Sequence, residues 1–207
     1  MPPSPAEAVA SFLVAAGLRG AAGGPFDLEL GRGEAVAITG PSGAGKSVLL
    51  RMIADLDPHE GQVALGGADR AAMPAPSWRR RVAYLPAEPG WWHETAAAHF
   101  PDRAAAAEMM PQLALAPALL DQKIHRLSTG ERMRLALIRT ILPRPDVLLL
   151  DEPTGALDPK ATVLVEKLLA LRLAAGTAIV MVTHDEEQAQ RLGAQRMHLE
   201  GGRLNLA

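Results

Sequence analysis

The sequence has no cysteine, which removes disulfides, thiolate zinc sites and thiol catalysis together. Aromatic residues make up only 3% of the 207 positions, with a single tyrosine among them. The formal charge of −2 provides no bulk attraction to nucleic acid and names no polyanionic partner. No run approaches the roughly 18–20 apolar residues that a membrane-spanning helix needs. The N-terminal patch Phe12-Leu13-Val14-Ala15-Ala16 has no basic stretch before it and is too short for a secretory leader. A soluble chain is expected, so any membrane segment has to come from another protein. Arginine outnumbers lysine, and Ala, Pro and Gly abound, a bias that reads as genomic rather than functional.

What is present is alternation. With 48% hydrophobic residues the chain can build a core of ordinary size. Glu34 to Thr39 reads as a short strand that stops at a Gly-rich turn, and Lys46 to Ala54 is helix-compatible. Val63 to Leu65 reads as a hairpin strand between glycines, and Arg81 to Leu85 as a strand ended by Pro86. Residues 90–126 change character: rich in Ala, Met and Leu and punctuated by proline, they predict two or three short helices. A helix over Gly130–Leu142, a buried strand at Val147–Leu150 and a helix over Pro159–Ala174 follow. A strand at Ala178–Thr183, a polar helix at Asp185–Leu192 and a hairpin around Gly201-Gly202 complete the chain. Apolar strands alternating with helices point to a parallel α/β sheet covered on both faces. There is no internal repeat.

Between the first strand and its helix lies Gly40-Pro41-Ser42-Gly43-Ala44-Gly45-Lys46-Ser47, which fits G-x-x-x-x-G-K-[ST]. A loop that turns its N–H groups inward on an anion needs glycine, and the helix start beneath it adds partial positive charge. Lys46 then bridges phosphate oxygens, and the Ser47 hydroxyl becomes a Mg²⁺ ligand. Val147 to Leu150 ends in Asp151-Glu152. These two carboxylates read either as an acidic helix cap or as a metal-binding aspartate followed by a glutamate that polarises water. Leu127-Ser128-Thr129-Gly130-Glu131 reads on its own as a capping box.

Taken in order and at this spacing, the loop, the acidic pair and the Ser128–Gly130 segment resemble the ATP-binding cassette (ABC) ATPases. Pro153 to Asp158 resembles that family's D-loop, and His184 its switch histidine. The resemblance implies an α/β P-loop NTPase fold, an ABC-type ATPase core with an antiparallel β edge and a short α-helical subdomain. It implies one domain over 1–207, with 1–86 and 145–207 as the RecA-like core and about 87–144 as the helical subdomain carrying the signature motif. ATP and Mg²⁺ are the implied cofactors, the metal held by Ser47 and Asp151. Glu152, His184 and Lys46 are the implied catalytic residues. Residues 40–47 of one copy and Ser128, Thr129 and Gly130 of another are implied to enclose the nucleotide. The implied partners are a second cassette and an integral-membrane permease, with no nucleic acid, which places the chain in the cytoplasm on the inner face of the membrane. A soluble ABC ATPase that remodels a non-transport complex is the alternative.

Three positions depart from the family pattern. Ala87 stands where a glutamine is usual after the strand ending at Leu85, with Glu88 next to it. Thr129 replaces the first glycine of the signature. The stretch Gly17 to Ala22 lacks the aromatic that stacks on adenine, and Phe12 and Phe26 stand out of register. Base binding therefore falls to Arg19 or to aliphatic contact, and weak base selectivity is expected. Trp91-Trp92 lies where the family docks its membrane partner, either as an exposed anchor or as packing within the insert.

Overall fold

The computed structural model describes residues 11–207; the part of the N-terminal reading that falls on residues 1–10 lies outside them. Two sheets organise the chain. The first is antiparallel, ordered β2-β1-β4-β5, from β1 (Leu13–Gly20), β2 (Gly23–Leu30), β4 (Glu60–Leu65) and β5 (Ala68–Asp69). The second is ordered β10-β9-β3-β8-β7-β6, from β3 (Ala35–Thr39), β6 (Val82–Leu85), β7 (Val147–Asp151), β8 (Ala178–Val182), β9 (Gln195–Glu200) and β10 (Arg203–Leu206). Within it β9, β3, β8, β7 and β6 run parallel, and β10 turns back on β9 around Gly201-Gly202.

The inner parallel strands β3, β7 and β8 are apolar almost throughout because both faces are covered, whereas β9 carries polar and exposed residues. Successive side chains alternate between the faces. Val36, Ile38, Val147, Leu149, Val180 and Val182 enter one core with helix α1 (Lys46–Ile53) and the antiparallel sheet. Leu148, Leu150, Ile179 and Met181 enter the other, against α4 (Thr129–Ile141) and α5 (Pro159–Ala174). Each fully buried leucine of this kind stabilises the fold by about 1.5–3 kcal/mol in transfer free energy alone. The expected antiparallel edge is thus the whole first sheet, packed over α1.

Three elements differ from expectation. Helix α2 (Ala75–Arg81) precedes β6, so Arg81 ends a helix rather than starting a strand. Pro76 is tolerated in its first turn, and fully buried Trp78 fastens it by donating from Nε1 to the Ile53 carbonyl at 3.0 Å. Residues 90–126 hold one α-helix, α3 (Arg103–Met109), with 3₁₀ turns at Ala97–His99, Met110–Leu113, Pro117–Asp121 and Ile124–Arg126. Pro111 and Pro117 each open one of these turns, where a missing N–H is harmless at a start but blocks continuation from the preceding turn. The polar helix near the C-terminus, α6, is shorter than expected and spans Glu186–Arg191.

Candidate active site

The loop of residues 40–47 leaves the C-terminal end of β3 and runs into α1. Gly40 has φ +142°, and a Cβ there would run into the Leu199 carbonyl oxygen. Gly45 has φ +98°, and its Cβ would lie 2.6 Å from the Cβ of Ala22, in the turn between β1 and β2. These two glycines are therefore demanded by both backbone conformation and close approach. Lys46 is only 7% exposed. Its ammonium is held by the carbonyls of Gly40 at 2.8 Å and Pro41 at 2.9 Å, the compensation a buried charge requires.

Helix α1 starts differently from most of its neighbours. Asp102, Ser128, Asp158 and Asp185 cap α3, α4, α5 and α6 through their side chains. At α1 the cap is Gly45, with no side-chain acceptor and no acidic residue in the first turn. The first N–H groups of this helix are thus left to an external acceptor, which is what anion binding at a helix start needs.

Asp151 ends β7 and is 4% exposed; its Oδ2 accepts from the Tyr84 hydroxyl at 3.1 Å. Burial and the neighbouring Asp151 charge both push the Tyr84 phenol pKa up, so the phenol remains a donor at neutral pH. Glu152 follows with φ +48°, a left-handed conformation that costs a glutamate about 1–2 kcal/mol. Its Oε1 lies 3.0 Å from His184 Nε2. Strand order places β8 between β3 and β7, so His184, beyond the end of β8, shares one sheet edge with the loop and the acidic pair.

A buried polar network supports this edge. Gln188, fully buried on α6, accepts from Thr183 Oγ1 at 2.9 Å and donates to Thr154 Oγ1 at 2.9 Å and Glu166 Oε1 at 3.3 Å. Arg191 completes it with two bonds to Glu166, at 2.8 and 2.9 Å. Glu152, Thr154, Gly155, Thr183 and His184 line an open pocket of about 380 Å³.

Of the two readings of the acidic pair, the helix-cap reading fails: Asp158, further along, caps α5 by accepting from the Lys160 and Ala161 N–H groups. The capping box at Ser128 does form, with Glu131 Oε2 accepting from Ser128 N at 2.8 Å. That bond holds the Glu131 carboxyl below its usual range. Ser128 and Thr129 are exposed at the start of α4, and Gly130 packs beside Ala156 and Leu157. Among the described residues no hydrogen bond joins Ser128, Thr129 or Gly130 to the loop at 40–47. Ala87 and Glu88 are both exposed, and Glu88 makes no ion pair among the described residues. Phe26 is fully buried, Phe12 is 8% exposed beneath the Arg32 guanidinium, and Arg19 is exposed. The tryptophan pair divides: Trp91 is half-buried against the helical-segment core, whereas Trp92 is 67% exposed. Sequence reasoning missed Tyr84 and Gln188; only the rarity of tyrosine in the chain could have flagged the former.

No group of three or more His, Asp or Glu side chains gathers at one point among the described residues. Of the residues expected to hold a cation, Asp151 supplies one carboxylate and Ser47 one hydroxyl. That sparse, hard-oxygen set fits Mg²⁺, which keeps its waters and relies on substrate phosphates.

The fold and this edge define a nucleotide-binding α/β domain of the P-loop class. A family model described as ABC transporter matches residues 24–155. Protein STAR1 of Oryza sativa subsp. japonica is 39% identical over 80% of this chain and 51% of its own length. The hemin import ATP-binding protein HmuV of Streptomyces coelicolor is 35% identical over 99% of this chain and 80% of its own. The lipoprotein-releasing system ATP-binding protein LolD 1 of Rhodopirellula baltica is 36% identical over 86% and 85%. Against some relatives, STAR1 among them, the chain spans about half their length. A solved dimeric bacterial ABC transporter cassette superposes with TM-score 0.81 at 26% identity, over 93% of this chain and 96% of that one. The chain belongs to the ABC transporter family.

Proposed function

We propose that this chain is the ATP-hydrolysing subunit of an ABC transporter, acting as a head-to-tail pair on a separate integral-membrane permease at the inner face of the membrane. The observation that carries the reading is the shared sheet edge: a glycine-built loop with a buried lysine, a buried aspartate, and a Glu152–His184 pair 3.0 Å apart. In this reading the backbone N–H groups of residues 42–47 and the Lys46 ammonium would hold the phosphates, and Ser47 and Asp151 would hold Mg²⁺. A metal held there would supply charge neutralisation to the transferred phosphoryl group. Glu152 takes a proton from the attacking water while His184 fixes the orientation of that carboxylate.

The start of α4, where Ser128 and Thr129 are exposed and Gly130 follows, serves the nucleotide of a second copy, using a helix start as an anion site. A related cassette has been solved as a dimer in a post-hydrolysis state with ADP and Pi, which supports the paired reading. Residues 1–86 and 145–207 would act as the catalytic core and 87–144 as the segment that meets the permease. Aliphatic contact, with Arg19 nearby, would replace an aromatic stack on the base. Relatives named for ferric ion import, hemin import and lipoprotein release accord with a cassette that powers transport without contacting cargo.

Phosphate release by the purified chain with Mg-ATP tests this. Glu152→Gln should lower kcat about 100-fold or more while keeping nucleotide affinity, and should elute as a dimer when ATP is present. Unchanged turnover would remove Glu152 from the chemistry, and a persistent monomer would remove the paired site.

A further inference from the structure

We infer that Tyr84 is a positioning residue that orients the Asp151 carboxylate for metal binding, in place of any side chain at position 87. The inference rests on the Mg-ATP reading above and names a group that reading does not need. Tyr84 lies on β6, the edge strand paired with β7, opposite Leu149 in the register. From there its hydroxyl reaches past the end of the ladder to Asp151 Oδ2 at 3.1 Å. No other hydrogen bond to the Asp151 carboxylate exists among the described residues, so this one contact fixes the rotation of the group and leaves Oδ1 for the metal side.

Strand β6 also connects to the helix that carries Ser47. Arg51 sits one turn beyond Ser47 on the same face of α1. Its guanidinium is anchored on Asp57 at 2.8 Å, and α1 packs against β6, the strand that carries Tyr84. The frames of the two metal-ligand candidates therefore meet at β6. Position 87 offers no competing group: Ala87 has no polar atom in its side chain and is exposed, as is Glu88. Groups that hydrogen-bond a metal-ligating carboxylate orient it, and losing one lowers metal affinity about 10–100-fold.

The test compares the native chain with Tyr84→Phe, which keeps the ring and removes only the donor. Binding of a fluorescent ATP analogue is titrated with Mg²⁺ present and with the metal chelated, and Mn²⁺ affinity of the nucleotide complex is read by electron paramagnetic resonance. The expected result is metal-free affinity within about twofold of native, with Mn²⁺ affinity lowered about tenfold or more. Ala87→Gln added to Tyr84→Phe should recover part of that loss. Native-like Mn²⁺ affinity in Tyr84→Phe would overturn the inference while leaving the Mg-ATP reading intact. Failure of the native chain itself to bind nucleotide more tightly with Mg²⁺ would overturn that reading, and this one with it.

Discussion

The sheet edge that carries residues 40–47 and the segment from Ala87 to Leu127 are held in opposite ways. At the edge, backbone and buried polar groups set the geometry: three glycines at positive φ, a lysine closed over its own loop carbonyls, and a buried glutamine with three polar partners. In the segment, side-chain packing sets it. Short 3₁₀ turns flank a single two-turn helix, and Leu113, Leu115 and Leu120 fill a core shared with α4. Its polar contacts are mostly local, such as His99 Nε2 accepting from the backbone N–H groups of Trp92 and His93, each at 3.0 Å. A site that must reproduce one phosphate geometry tolerates little change, whereas a surface that fits a partner can vary its chain path as long as its core is filled.

That contrast predicts its largest effect at Gly45. Gly45→Val places a β-branched side chain at φ +98° and a Cβ 2.6 Å from that of Ala22. Nucleotide affinity should fall by more than about 100-fold, near 2.7 kcal/mol, in a fluorescent-analogue titration. Adding Ala22→Gly relieves the contact but leaves the conformational strain of about 1–3 kcal/mol, so it should restore only part of the affinity. Full recovery would mean that crowding alone, and not φ, makes glycine necessary there.

Legibility in the sequence follows the same division. The loop and the acidic pair could be proposed from local features, residue types and spacing within one turn or one strand end, whereas His184 rests on the family resemblance. The strand alternation was equally readable, since β7 and β8 are apolar at every internal position. Tyr84 could not be read, because its meeting with Asp151 depends on the β6–β7 register, a pairing between distant stretches of chain. Gln188 looked like one more polar residue on a polar helix until α6 was seen to turn it into the core beside Glu166. In residues 90–126 alanine-rich composition favoured helix, and the prolines that begin the 3₁₀ turns overrode it.

A smaller effect is expected at Gln188. Gln188→Leu keeps volume but removes the acceptor of the Thr183 hydroxyl, which retains only the bond from the Asp185 N–H, and removes a donor from both Thr154 and Glu166. Leaving buried polar groups unmet costs about 1–3 kcal/mol each; because the threonines can turn toward neighbouring groups, a total near 2 kcal/mol is expected in urea unfolding. Turnover should fall further than stability alone explains, because Thr183 precedes His184 and Thr154 follows Glu152. A variant as active as native would show that the edge holds its geometry without this network.

The smallest effects are expected in the segment, and they separate its two tryptophans. Trp91 lies half-buried beneath the Arg139 guanidinium, 4.6 Å from its ring centroid, with the His99 ring 4.8 Å away edge-on. Trp92 is 67% exposed and also faces Arg139, at 4.9 Å. Truncating Trp91 should cost about 1–2 kcal/mol, less than the ~3–5 kcal/mol of a fully buried aromatic. Truncating Trp92 should stay within about 0.5 kcal/mol, as surface changes do. If Trp92 serves the proposed permease contact, Trp92→Ala should lower co-purification with that subunit while its unfolding midpoint stays native. Equal losses of stability for both variants would instead make the pair a single packing unit, and the segment would then resemble the sheet edge more closely than its chain path suggests.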